Sequence, residues 1–533
     1  MKTIIRSLFI FSVLMSGAVS CIELDTVPYD RESDLTFWDE DEDAALKALN
    51  TCYTYLAGIE ELLYSEAMTD NAYTKQPNDA TQNIGNGSYS TADPYVKSVW
   101  DSRYTGIRMC NQLLENIDRV PNLEPALKNR YIGEVKTIRA YHYYELYTKF
   151  GDIPYATSVL SIEESMTIER SDKATVVNNI LNDLDEVISG KYLPESYDAN
   201  NKGRITHWAA MALKAKIHLF EGNWTEVRNI TSVIINEGGF TLFGSYSGLF
   251  EIANEYNQEV IMDAQYRPSS REHHIMYEFL PPSMGGYSQL SPLQSLVDSY
   301  IMLDGKAIDE SDLYDENNPY ENRDPRMQAT IMYTGNSYVL ADGSEVVINA
   351  DPGQGRDGYG VSSDVTATGY YIKKYWDNTY RASLYSGLNP IIIRYADILL
   401  MHAEAVAELG NFNGSTWNMT IKPIRQRAGF TNSSAVEYPL AVSQEELIEI
   451  IRNERRSELA LEGHRHKDIF RWRIADEVLN GWSHGFKTGE SVGTDNGYVR
   501  IENRKFDANK HYLWPIPQAE RDLNRNLSQN PNW

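Results

Sequence analysis

The chain has 533 residues, 42% hydrophobic and 23% charged, with a mean hydropathy of -0.46, which fits a soluble, core-forming protein and excludes a multi-span membrane protein. A formal net charge of -26 repels nucleic acid phosphates, so no nucleic acid partner is expected. Tyrosine is abundant at 36 and tryptophan reaches 10; these rings serve packing and also leave aromatic faces for flat ligands.

The N-terminus predicts an export signal over residues 1–20. Lys2 and Arg6 precede the apolar run Leu8 to Met15, and small residues from Ser16 to Ser20 lead into Cys21. The run is too short to span a bilayer, which takes about 20 residues. Small residues directly before a cysteine place Cys21 as the lipidation site and first residue of the mature chain. Ala18 departs from the leucine usual at that position, and a plain signal cleaved elsewhere is the alternative.

Apolar residues spaced by three and four predict helices over two regions, roughly 41–237 and 391–472. Val177, Ile180, Leu184 and Val187 make one such stripe; Ala396, Leu400, Ala403 and Ala407 make another. Cys52 and Cys110 each fall on a stripe, so two buried thiols are expected, a mutual disulfide being the alternative. "AKIHLFEGNW" (215–224) and "AEAVAELGNF" (403–412) repeat one device, Gly-Asn-aromatic seven residues after an interior Ala. Ala admits a close neighbour, Gly ends the helix in a left-handed conformation, and the aromatic starts packing the next helix. This predicts a mainly α fold of irregular, tetratricopeptide-like hairpins. Between the two regions, roughly 240–390, Gly, Pro, Asn, Asp and Tyr interrupt every pattern, leaving a loop-rich middle with short strands such as "GYYIKKYW".

Ser443 and Glu446 form a capping box, so a helix is expected from there to Gly463. Its apolar stripe, Leu447, Ile450 and Ile451, extends at 3.6 residues per turn onto Glu454, Glu458 and Leu461, which puts carboxylates where the core should be. Arg455, Arg456, Arg465 and Arg471 are the expected partners in a buried ion-pair network. The competing reading makes Glu462, His464, His466 and Asp468 a metal or acid-base site on an extended segment. Neighbouring arginines oppose a cation there, so the structural network is preferred.

Several long stretches, in order, resemble the SusD/RagB family of outer-membrane nutrient-binding lipoproteins of Bacteroidetes-type bacteria. They are "GEVKTIRAYHYYELYTKFGDIPY" (133–155), "LVDSYIMLDGK" with "NPYENRDPRMQATIMY", "IIIRYADILLMHAEAVAELG" (391–410), "NERRSELALEGHRHKDIFRW" (453–472) and "YLWPIPQAERDLNRNLSQNPNW" at the terminus. The resemblance implies an N-terminal helical region over 21–240, a variable ligand-binding region over 241–390 and a C-terminal helical region over 391–533, the last two not folding independently of the first. It implies a lipid-anchored protein on the cell surface that binds an oligosaccharide and passes it to a SusC-like TonB-dependent transporter. Peptide capture by the same architecture is the alternative, and a glycan-degrading enzyme the third reading. Under the resemblance, the arginine-rich stretch belongs to the helical frame, and loop aromatics stack on sugar rings. Here those loops carry Tyr73, Tyr89, Tyr287 and Trp376, all among Gly, Asn and Ser.

Other chemistry falls away. "GQGRDGYG" (353–360) has the glycine spacing of a phosphate loop but neither strand before it nor helix after it. "REHHIMYE" (271–278) lacks the spacing of a zinc protease helix, and no two carboxylates stand out as a glycosidase pair. No cofactor is expected. Calcium in "DENNPYENRD" (315–324) is conceivable, but the segment matches no calcium loop pattern and reads as a solvated turn.

Overall fold

A computed structural model describes residues 34–40, 43–75, 80–340, 342–378 and 384–533; the export signal and Cys21 lie outside them. Helices α1 (Ala44–Tyr53), α2 (Pro94–Asn116), α3 (Pro125–Phe150), α4 (Lys173–Ser189), α5 (His207–Phe220), α6 (Trp224–Glu237), α7 (Tyr395–Glu408) and α8 (Gln444–Glu458) form a chain of neighbours, each packed on the next. This is the expected α-helical scaffold, in which a hairpin buries its face against the neighbouring ones. Both repeated glycines end their helices in the left-handed region, Gly222 at φ 71° and Gly410 at φ 68°. Asp93, Asp172 and Thr206 cap α2, α4 and α5 by accepting from backbone N–H groups one turn on.

The central helix is α3. Nearly every residue from Tyr131 to Phe150 is buried, because α1, α2, α4 and α5 all pack on it. Its polar side chains therefore need partners. Glu134 accepts from the Tyr53 hydroxyl at 2.6 Å and pairs with Arg204 at 3.1 Å. Arg139 pairs with Asp183 at 2.5 Å, and Glu145 with Lys149 at 2.7 Å.

Two large hydrophobic cores result. The first joins α1–α6 to Ile392, Ile393, Met401 and the C-terminal Trp514 and Ile516. The second is built from the middle of the chain with Ile59, Leu63 and Ala72 from the N-terminal region and Leu461 from beyond α8. The strands are short. β1 (Ala72–Thr74) pairs antiparallel with β3 (Leu290–Pro292), setting Tyr73 opposite Ser291, and β2 (Val260–Asp263) pairs with β5 (Ile391–Arg394). The strand expected in "GYYIKKYW" shrinks to β4 (Tyr371–Ile372), paired with Ile331–Met332; Tyr375 at φ 69° turns the chain away. A longer hairpin, β6 (Asn480–Lys487) with β7 (Tyr498–Lys505), was not legible in the sequence pattern. Cys52 and Cys110 are buried free thiols, and no described helix is long and apolar enough to cross a membrane.

Candidate functional site

The charged stretch at 453–472 is the densest cluster of chemistry-bearing groups, and its geometry is that of a frame. The Ser443–Glu446 capping box forms, but α8 ends at Glu458, five residues before the expected Gly463. Leu461 at φ 63° and Gly463 at φ 78° carry the turn into the short helix Arg465–Arg471. Glu454 and Glu458 are buried as expected; their partners are not the expected ones. Glu454 pairs with Arg326 and Arg425, both at 2.7 Å. Glu458 pairs with Arg326 at 2.9 Å, with Arg394 at 2.6 Å and with Arg427. Of the sequence neighbours, Arg455 pairs with Asp397 and Asp468, Arg456 and Arg465 with Asp70, and Arg471 with Glu404 and Asp468. A helix directs residues at successive positions to different sides, so adjacent charges look toward different neighbours.

All five Arg394 N–H groups are used: Nε and Nη2 donate to Glu462, Nη1 to Glu259 and Glu458, and Nη2 also to the Glu458 carbonyl oxygen. Lys374 donates to Tyr246, to the Ala460 carbonyl and to Glu462. Burial alone would raise the Glu458 and Glu462 carboxyls; the surrounding guanidiniums and Lys374 outweigh it and hold both at about 2. Burial and the nearby Lys216 bring His464 down to about 3, and burial with Lys149 and Lys467 takes His466 well below its ordinary value. Glu462 and Asp468 are thus engaged by cations, His464 accepts from Lys216 at 3.2 Å, and His466 packs on Phe470 and Trp514. The segment is a turn entering a helix rather than extended, so the four do not share a face. Among the described residues no group of three or more His, Cys, Asp or Glu is placed to hold a metal. In the 315–324 segment, Asp315 is taken by Asn317 and Asn318, and Asp324 caps the helix Pro325–Thr330 while pairing with Arg326.

The four loop aromatics separate. Tyr89 is a core residue, 5% exposed, packed on Trp533 at 4.8 Å and His511 at 5.3 Å; the expectation of an open ring there is corrected, because the C-terminus folds back over it. Trp376 is half-buried edge-on against Tyr338 at 5.3 Å. Tyr73 is half-buried in β1, its hydroxyl accepting from Gln82 at 3.2 Å. Tyr287 is open, 47% exposed.

Local chemistry sets Tyr287 in place. Gly285 takes φ 90°, and Gly286 donates to the Pro281 carbonyl at 3.1 Å, folding the chain back over the helix Ile275–Phe279. A Cβ on Gly286 would lie 2.1 Å from the Leu280 carbonyl oxygen, so only glycine fits. Tyr287 then donates its N–H to the Tyr277 carbonyl at 2.7 Å, and the two rings stack at 5.7 Å with 16° between planes. A two-way backbone bridge between His273 and Ser386 brings in Tyr385, 46% exposed, edge-on to Tyr277 at 6.2 Å. His274 flanks Tyr385 at 6.2 Å. Neither Tyr277 nor Tyr385 is set apart by the sequence pattern. Tyr385, followed by Ser386-Gly387, shares only the small polar residues on one side with Tyr287; Tyr277 sits in an apolar helix and carries no signal.

The result is a cluster of three tyrosines in which Tyr287 and Tyr385 are exposed and Tyr277, half-buried, backs the Tyr287 ring. Such a cluster offers apolar area with hydroxyl groups at its edge, the complement of a pyranose ring.

The profile of the SusD family matches residues 249–533, more than half of the chain. The chain belongs to the SusD family. A second profile, described as starch-binding associating with outer membrane, matches residues 39–219. SusD-like protein P25 of Formosa agariphila is 27% identical, over 98% of this chain and 97% of its own length. The starch-binding protein SusD of Bacteroides thetaiotaomicron is 22% identical over the full length of both. The crystal structure of a SusD-like carbohydrate-binding protein from Bacteroides fragilis superposes with a TM-score of 0.83 at 27% identity, covering 92% of this chain and all of that one. The SusD-family scaffold is thus the helical frame described above, and the charged stretch lies within it.

Proposed function

We propose that this protein binds an oligosaccharide at the Tyr277, Tyr287 and Tyr385 face, as a lipoprotein anchored through Cys21 on the outer surface of the outer membrane, and delivers it to a SusC-like TonB-dependent transporter. The observation that carries the reading is the stacked, exposed Tyr287 ring, which a glycine-specific turn holds against Tyr277 instead of burying it. Membership of the SusD family supports the anchor and the transporter. The chain acts as a binder and hydrolyses nothing.

The test is binding of a panel of soluble polysaccharides, starch included, to wild type, Tyr287→Ala and Tyr385→Ala. Both variants are expected to lose at least tenfold in affinity with unchanged melting. Wild-type binding by both would move the site elsewhere, and enzyme-dependent release of reducing ends would reverse the binder assignment. Labelled fatty acid is expected in wild type and not in Cys21→Ala.

A second reading, peptide capture, has one observation behind it. The hairpin Ser337–Val339 with Glu345–Val347 exposes Val339 and Val347 at 60% and 58% and so offers a strand edge. Peptide binding that survives loss of Tyr287 would favour it.

A further inference from the structure

The β6–β7 hairpin closes a cavity of about 440 Å³ that shares no lining residue with the tyrosine face. Its volume falls in the range of small-ligand sites, roughly 300–1,000 Å³. Trp482 and His484 of β6 both line the cavity. Trp482 is 44% exposed and belongs to none of the hydrophobic cores; the Arg500 guanidinium, 5.5 Å from its ring centre, steadies it.

The same lining holds two polar groups, Asp298 and Arg456, with capacity to spare. Gln294 donates to Asp298 Oδ1 at 2.8 Å, while Oδ2 accepts from no described residue. Arg456 donates from Nε to Asn71 at 2.9 Å and pairs through Nη2 with Asp70 at 2.9 Å, while Nη1 donates to no described residue. Two carboxylates, Asp70 and Asp298, and two guanidiniums, Arg456 and Arg504, line the cavity, so its formal charges cancel.

These features select a ligand class. A purely apolar ligand would leave Asp298 and Arg456 desolvated without partners. A phosphate would face Asp298, and a metal cation would face Arg456 and Arg504. A sugar ring meets all three demands, with an apolar C–H face for the indole and vicinal hydroxyls that both donate and accept. We infer that this cavity is a second saccharide site, which takes a neutral pyranose with Trp482 as stacking surface, Asp298 as hydroxyl acceptor and Arg456 as donor. The ligand class rests on the glycan-binding reading above; the location does not.

The test uses the chain from Cys21 onward labelled with 5-fluorotryptophan, the Trp482 fluorine line being assigned with Trp482→Phe. Methyl glycosides of glucose, galactose, mannose, xylose and glucuronic acid are titrated in turn. At least one neutral glycoside is expected to shift the Trp482 line, equally in wild type and in Tyr287→Ala, and Asp298→Asn is expected to weaken that titration at least tenfold with the other tryptophan lines unmoved. Trp482→Ala, which removes an exposed ring, is expected to abolish saturation transfer to the same glycoside. A Trp482 line that no neutral glycoside moves, an Asp298→Asn titration equal to wild type, or a preference for the glucuronide would each overturn the inference. If the Trp482 line responds while Tyr287→Ala and Tyr385→Ala bind polysaccharide normally, the tyrosine face falls and this cavity stands; the reverse pattern removes only the cavity.

Discussion

Arg394 and Glu458, 64 residues apart in sequence, meet at the buried centre of the charged frame, where Nη1 lies 2.6 Å from Oε1 and Nη2 reaches the Glu458 carbonyl oxygen at 2.7 Å. The same carboxylate also takes Arg326 and Arg427. Glu458→Ala therefore takes one carboxylate away from three buried guanidiniums at once, and breaking a buried pair from one side costs about 3–5 kcal/mol. Thermal denaturation is expected to show a large drop in Tm, and an unchanged Tm would show that the frame does not depend on this carboxylate.

Acid should open the same frame. Glu458 and Glu462 sit at about 2 in the folded protein, below the ordinary value of 4.5. Depressed carboxyls stabilise the fold fully above pH 4.5 and lose that contribution as the pH falls towards 2. Circular dichroism across an acid titration is expected to place the steepest loss of stability in that window, with a shallower slope in the Glu458→Gln, Glu462→Gln double variant. A slope unchanged by the double substitution would remove these groups from the acid response.

Two tyrosines from similar-looking loops should behave oppositely. Tyr89 fills core space against Trp533 and His511, so Tyr89→Ala is expected to cost about 3 kcal/mol. Tyr287→Ala removes an exposed ring and is expected to change stability by no more than about 0.5 kcal/mol. Denaturant melts of the two variants measure the contrast, and equal losses would contradict it.

Gly286→Ala places a methyl 2.1 Å from the Leu280 carbonyl oxygen. The turn must shift, at about 1–3 kcal/mol for an overpacked site, and Tyr287 moves with it. Polysaccharide binding is expected to fall together with Tm. Gly239→Ala is a poor control because φ is 69° there, whereas Gly244, with ordinary φ and open space around it, is a suitable one; Gly244→Ala is expected to leave both unchanged.

Cys52 and Cys110 are buried and unbridged, and burial, with Cys52 beside it, pushes the Cys110 thiol well above its ordinary value. Both should resist an aqueous thiol reagent in the native chain and react promptly once it is unfolded without reductant. One disulfide in the unfolded, unreduced protein would contradict this.

Local sequence carried much of this fold because helix formation is local. The spacing of Val177, Ile180, Leu184 and Val187 needs no distant information to form the buried stripe of α4, and Ser443 caps Glu446 within one turn. The burial of Glu454 and Glu458 was legible for the same reason: they continue an apolar stripe. Their partners were not. The nearest arginines in sequence are carried by the helix to other sides, and Arg326, Arg394, Arg425 and Arg427 arrive from segments whose approach no local pattern encodes.

The aromatic site divides in the same way. A ring among Gly, Asn and Ser looks alike at Tyr89 and at Tyr287, and local pattern shows only that such rings exist beside a helical frame of recognisable family. Whether each is open depends on what folds over it. The C-terminal Trp533 covers Tyr89, more than four hundred residues later in the chain, while the Gly285-Gly286 turn and the His273–Ser386 bridge leave Tyr287 and Tyr385 uncovered on Tyr277. Solvent exposure is a property of all the chain that packs nearby, so tertiary structure alone could decide which tyrosines face a ligand.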